Sequence, residues 1–237
     1  MRKPDAILFD LWGTLINSVE FDPRKGHAAV LETCENPHRT TLDEVMDLGQ
    51  RVVSSTVARE EEVALEFTQA SLLRIVADAF DLRPRMGLVE SELVFWRAAL
   101  QVSLVEGVID LLRKIEAAGM PMGVVSNSSF AGPSLEAELE AQGIRRFFRF
   151  VISSADYGVR KPDPIIFEVA LRRLGMQPDQ VWFAGDNITY DIVGARRAGI
   201  FPVAINNRKA IPEEAGEHAV ITAWSQLLPL IASAPAG

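Results

Sequence analysis

Residues 6–15, AILFDLWGTL, run four apolar side chains, Ala6, Ile7, Leu8 and Phe9, into an abrupt carboxylate, Asp10. Trp12 follows, then a Gly13-Thr14 turn. An apolar run without polar alternation fits a strand buried on both faces. Five more short runs of this kind occur at 121–126, 149–153, 180–184, 200–205 and 219–222. Helical patterns lie between the later ones, near 107–118, 133–142, 163–174, 190–198 and 212–216. Strand and helix in repeated alternation predict an α/β protein with a three-layer, Rossmann-like parallel sheet core.

Residues 17–103 break that alternation. They offer no convincing strand, and Thr41 and Glu44 have the spacing of a capping box ahead of a helix. Phe67, Leu72, Leu73, Val76 and Phe80 share one helical face, as do Leu93, Trp96 and Leu100. The expected organisation is a core of residues 1–16 and 104–237, interrupted by an all-helical insert over 17–103.

The 237 residues are 48% hydrophobic and 24% charged, with a formal net charge of -8. That balance fits a folded globular chain. It argues against nucleic-acid or acidic-membrane partners, which need a basic face. A local cation or lysine still permits an anionic small substrate. The single cysteine, Cys34, excludes an intramolecular disulfide, and no Cys/His cluster has zinc-ligand spacing. No run has transmembrane length or the form of a signal peptide, so a cytoplasmic protein, monomer or homodimer, is expected.

Open parallel sheets bind ligands at the carboxyl ends of their strands. The first strand ends at Asp10, with Thr14 just beyond, and the second at Ser126 and Asn127. The third is followed by GVRKPDP, containing Lys161, and the fourth by AGDNITYD, containing Asp186 and Asp191. Any one of these is an ordinary cap or turn. Four at successive strand ends, in this order, form a constellation.

In that order the residues resemble the haloacid dehalogenase superfamily. The stretches GVRKPDPIIFEVALRRLG and VWFAGDNITYDIVGARRAG are similar to the family throughout, and the insert resembles its helical cap in position and helicity. The resemblance implies a hydrolase in which Asp10 is the nucleophile. Ser126, Asn127, Lys161 and Thr14 would hold substrate, and Ser126 and Lys161 would assist catalysis. Asp10, the main-chain carbonyl of Trp12, Asp186 and Asp191 would form the metal set, with Asp191 also able to hold Lys161. Three carboxylates desolvated together repel, and one lysine does not balance them. Mg2+ is the cation such oxygen ligands suit. The expected reaction is hydrolysis of a small phosphorylated metabolite through an aspartyl-phosphate on Asp10.

Trp12 departs from the family's commonest form. Its phosphatases carry a second aspartate there as general acid and base, and an indole N–H only donates. Loss of such help costs about 10²–10⁴-fold in rate. Trp12 either packs beneath the cap in a slow phosphatase or marks different chemistry. The family's metal-independent 2-haloacid dehalogenases carry a tyrosine there and also show Ser-Asn at 126–127. They have a serine where Asp186 stands, and Arg24 or Arg39 would have to anchor the haloacid carboxylate. Carbon–phosphorus cleavage through a cap lysine is disfavoured, because no lysine lies between Lys25 and Lys114. A non-catalytic binding or regulatory member is the third reading. His27 offers a substitute acid or base, although a solvated loop histidine is the expectation. The acidic run at 59–66 reads as solvated surface, and Trp182 and Phe183 as core.

Overall fold

The computed structural model describes residues 1–205 and 212–235, with the backbone alone over 57–63. β1 (Ala6–Phe9) and β2 (Ile16–Phe21) lead into α1 (Pro23–Glu32), β3 (Cys34–Glu35), α2 (Leu42–Val63) and α3 (Gln69–Ala79). Next come β4 (Arg83–Pro84), α4 (Leu88–Ala99), β5 (Leu100–Leu104) and α5 (Val108–Ala117). β6 (Met122–Ser126), α6 (Gly132–Ala141), β7 (Val151–Ser153), α7 (Ser154–Tyr157) and α8 (Pro164–Leu174) follow. The chain continues through β8 (Val181–Gly185), a π-helical turn over Ile188–Val193, α9 (Gly194–Arg197) and β9 (Phe201–Ile205). It ends with β10 (Ala219–Ile221) and α10 (Leu227–Ser233).

Six strands form one sheet in the order β10-β9-β8-β1-β6-β7, every pairing parallel. β1 lies inside, with Ile7 opposite both Met122 and Trp182. Its side chains alternate between two packed layers. Ile7 and Phe9 join a cluster with Leu112, Val124 and Trp182, while Ala6 and Leu8 join Val125, Phe167 and Phe183. Phe9 is fully buried, edge-on to Phe148 at 6.3 Å and to Trp224 at 5.7 Å. Burying such a ring stabilises the fold by about 1.5–3 kcal/mol. Burial on both faces explains the unbroken apolar runs, and Trp182 and Phe183 are core as expected.

The chain passes from β1 to β6 and β7 on one side, then returns to β8 on the other. The turn from β1 therefore sits where the strand order reverses, the crevice in which such sheets bind ligands.

The segment 17–103 is not wholly helical. β2 pairs antiparallel with β5 (Ile16 opposite Leu104, Phe21 opposite Leu100), and β3 pairs with β4. All of β2 after Ile16 is exposed, and a bulge falls between Ser18 and Glu20. With neither face buried there is no alternation for a sequence pattern to carry. The capping box at Thr41 and Glu44 is formed, and Leu72, Leu73 and Val76 of α3 are buried. The inward face of α4 is Glu92, Phe95, Trp96 and Ala99, one position round from the Leu93–Trp96–Leu100 stripe.

His27 is not a solvated loop residue. It lies in α1, 4% exposed, its ring edge-on to Phe95 at 5.0 Å. Burial pulls its pKa down to about 4. Arg24 is exposed and paired with Asp43 at 2.7 Å. Of the acidic run, Arg59 to Val63 lie outside the described side chains. Glu66 is described and buried, and it accepts a 2.6 Å bond from the Ser154 hydroxyl.

A short backbone clasp joins the α2–α3 connection to the loop before Lys161. Glu66 N–H donates to the Gly158 carbonyl at 3.1 Å, and Arg160 N–H donates to the Ala64 carbonyl at 3.0 Å. Gln69 N–H bonds the Ser129 carbonyl at 2.8 Å, beyond the end of β6. Among the described residues no helix is long and apolar enough to cross a membrane.

Candidate active site

β1 stops at Phe9, and the next residue, Asp10, is held by its N–H on the Ala184 carbonyl of β8 at 2.9 Å. The chain then turns tightly. Gly13 N–H bonds the Ile16 carbonyl, and Leu15 and Ile16 N–H both bond the Leu11 carbonyl. Gly13 adopts φ 72°, a conformation that side chains resist. A β-carbon there would stand 2.6 Å from Asp186 Oδ2, so the turn lies directly against that carboxylate. Thr14 is fully buried in the same turn.

Asp10, Asp186 and Asp191 come together, with one carboxylate oxygen of each lying within 4.8 Å of the others. Asp10 follows β1, Asp186 follows β8, and Asp191 sits in the π-helical turn. Lys161 reaches them from the β7–α8 connection, 1% exposed, with its Nζ 2.7 Å from Asp10 Oδ1 and 2.6 Å from Asp191 Oδ1. Burial alone would lower the Lys161 pKa, but Asp10 and Asp191 overcome it and hold the ammonium above its ordinary value.

The carboxyls show the converse. Burial pushes Asp191 up to about 7, with Lys161 opposing and the Asp10 charge adding to the rise. Burial raises Asp186 as well, and Asp10 adds to it. Fully ionised, the three carboxylates would carry more negative charge than one ammonium balances. Asp191 Oδ2 also accepts the Asn187 N–H at 2.9 Å, which fixes its orientation.

Ser126 and Asn127 close the crevice from β6. Asn127 grips the backbone of Lys161 twice, accepting its N–H at 2.8 Å and donating to its carbonyl at 2.9 Å. Ser126 is fully buried, and its hydroxyl makes only a 3.4 Å bond to the Asn127 carbonyl. Trp12 is half-buried, its ring 5.7 Å from that of Trp96, which stands edge-on to Phe130 at 4.7 Å. The indole thus joins an aromatic wall between α4 and the β6–α6 loop.

Sequence reasoning missed several residues around this centre. A cavity of about 230 Å³ lies beside it, lined by Asn127, already singled out in the sequence, and by Phe67, Gln69, Ser128 and Arg160 among others, which were not placed at the site. Glu92, 1% exposed, accepts the Ala131 N–H at 2.8 Å and the Ser134 hydroxyl at 2.6 Å, capping α6 from α4. A lone glutamate inside a helical pattern carries no sequence signal for a contact forty residues away.

Residues 7–205 match a family model described as haloacid dehalogenase-like hydrolase. A glyceraldehyde 3-phosphate phosphatase of Methanopyrus kandleri is 40% identical over 102 residues, which span 43% of this chain and 43% of that protein. An (S)-2-haloacid dehalogenase 4A of Burkholderia cepacia is 27% identical over 96% of this chain and 94% of its own. In fold, the chain resembles the crystal structure of a 2-haloacid dehalogenase from Pseudomonas syringae pv. Tomato DC3000. That likeness has a TM-score of 0.65 at 24% identity, covering 98% of this chain and 99% of the other.

Proposed function

The chain belongs to the haloacid dehalogenase-like hydrolases, and within that family we propose that it is a Mg2+-dependent phosphohydrolase of small phosphorylated metabolites. One observation carries the reading: three carboxylates, Asp10, Asp186 and Asp191, share a crevice within 4.8 Å against a single buried ammonium. An all-oxygen donor set with surplus negative charge suits a hard divalent cation. Asp10, Asp186 and Asp191, with the Trp12 carbonyl, would hold Mg2+. When bound, it would neutralise these carboxylates and draw charge from a phosphoryl group.

Each residue then has a task. Asp10 attacks phosphorus and becomes an aspartyl-phosphate, which water cleaves. Lys161 keeps one Asp10 oxygen in place and offsets charge on the arriving phosphate. Ser126, Asn127 and Thr14 would receive phosphoryl oxygens, and Asp191 would orient Lys161. Residues 17–103 act as a cap over a core of 1–16 and 104–237, joined through the β2–β5 ribbon.

The dehalogenase reading draws on the full-length likeness to a haloacid dehalogenase and on the aromatic Trp12. Against it stand the extra carboxylate of Asp186, which would repel a haloacid, and the exposed pairing of Arg24 with Asp43. The test is a panel of phosphomonoesters with and without EDTA, alongside halide release from 2-haloacids. We expect phosphate release that needs Mg2+ and disappears in Asp10→Asn. Metal-independent halide release without phosphatase activity would replace this reading with the dehalogenase one.

A further inference from the structure

Building on the phosphohydrolase reading, we propose that the substrate's leaving group departs without a proton: the protein cleaves aryl, enol or acyl phosphates in preference to alkyl phosphates. The argument lies in how the acids around Asp10 are committed. Lys161 is buried between two carboxylates, Asp10 is the attacking group, and Asp186 and Asp191 belong to the cation set. The side chain of Trp12 lies against Trp96 and has no proton to exchange.

The next acids outward are committed too. Glu138 accepts the Trp96 indole N–H at 2.8 Å and the Gln142 amide at 2.9 Å. Glu92 caps α6, and Glu66 holds the Ser154 hydroxyl. His27 is enclosed in the helical segment against Phe95. Among the described residues, none of these is placed to hand a proton to a departing alkoxide. Half-buried Trp12 and the cavity-lining Phe67 suit a planar, delocalised group instead.

In the first step an Asp10 oxygen bonds to phosphorus, and the bond from phosphorus to the leaving oxygen breaks. The electron pair goes with that oxygen as a phenolate, enolate or carboxylate. In the second step water adds at phosphorus, regenerates the Asp10 carboxylate and releases phosphate, its proton passing to a phosphate oxygen. With no base for that water among the described residues, the second step is slow, so the aspartyl-phosphate accumulates on good substrates.

The experiment compares acetyl phosphate, 4-nitrophenyl phosphate, phenyl phosphate and glycerol 3-phosphate in the full chain with Mg2+, with stopped-flow burst measurement. In the wild type, kcat/KM should fall by at least about 10²-fold from 4-nitrophenyl to phenyl phosphate, the lower end of what a general acid supplies. The two best substrates should give a burst and nearly equal kcat. Trp12→Asp should flatten the series by accelerating the alkyl ester most. If wild-type kcat/KM is level across the series, another group supplies the proton and the proposal is wrong. Absence of phosphate release from all four, with Mg2+ still bound, sinks the phosphohydrolase reading and this inference with it. The wild-type series decides the matter even if Trp12→Asp does not fold.

Discussion

Lys161 is the residue on which the electrostatics of the crevice turn. Its ammonium is 1% exposed and bonded to Asp10 and Asp191 at 2.7 and 2.6 Å. Desolvating a cation is costly, and here two carboxylates offset that cost. Removing one side of such an arrangement leaves buried charge without compensation. Lys161→Met keeps the length of the stem and deletes the charge, so it isolates this effect. In metal-free buffer the variant should lose about 3–5 kcal/mol of stability by urea unfolding. Added Mg2+ should recover more stability in the variant than in the wild type, because the cation replaces a missing positive charge. A loss below about 1 kcal/mol, the range of an exposed ion pair, would show that solvent screens the cluster.

At the scale of elements, the turn between β1 and β2 makes the clearest demand on sequence. Gly13 stands at φ 72° with the Asp186 carboxylate where a β-carbon would go. Gly13→Ala therefore strains the turn by about 1–2 kcal/mol and displaces Asp186. We expect Mg2+ affinity by calorimetry to fall about 10–100-fold, with the far-UV circular dichroism unchanged. An unaltered affinity would mean that Asp186 takes no part in holding the ion. This turn was legible beforehand, because an apolar run, an acid and Gly-Thr are local and strongly patterned. The six sheet strands were legible as short apolar runs: five are buried on both faces, and the edge strand β10 stays apolar although Val220 is exposed. The β2–β5 ribbon was not, since Asn17 to Phe21 are exposed, and the alternation of β5 runs over only five residues directly after α4. Nor were Glu66 and Glu92, whose roles depend on partners that only the folded chain brings near. The four chemical groups could be ordered along the chain, but the grip of Asn127 on both sides of the Lys161 peptide could not.

For the molecule as a whole, pH acts on stability through groups of opposite sign. Glu92, Asp186 and Asp191 are held above their ordinary pKa values, chiefly by burial. They take up protons more readily folded than unfolded, so acidification relieves them and favours the native state. His27 works the other way. Its pKa is lowered from 6.5 to about 4 by burial among α1, α2 and α4, against Phe95 and beside Gly49. Between those values the unfolded chain binds a proton that the folded chain refuses. Its contribution is therefore complete above 6.5 and declines as pH falls toward 4. From pH 7.5 to pH 5 that decline is about 2 kcal/mol. His27→Asn removes the titration, whatever its cost in packing. The stability difference between pH 7.5 and pH 5, measured by urea unfolding in EDTA, should shift by about 2 kcal/mol in favour of the acid side. The carboxyl contributions are common to both proteins and cancel in the comparison. An identical pH dependence in wild type and variant would mean that His27 takes up its proton inside the fold, and that the helical segment opens to water more readily than its packing implies.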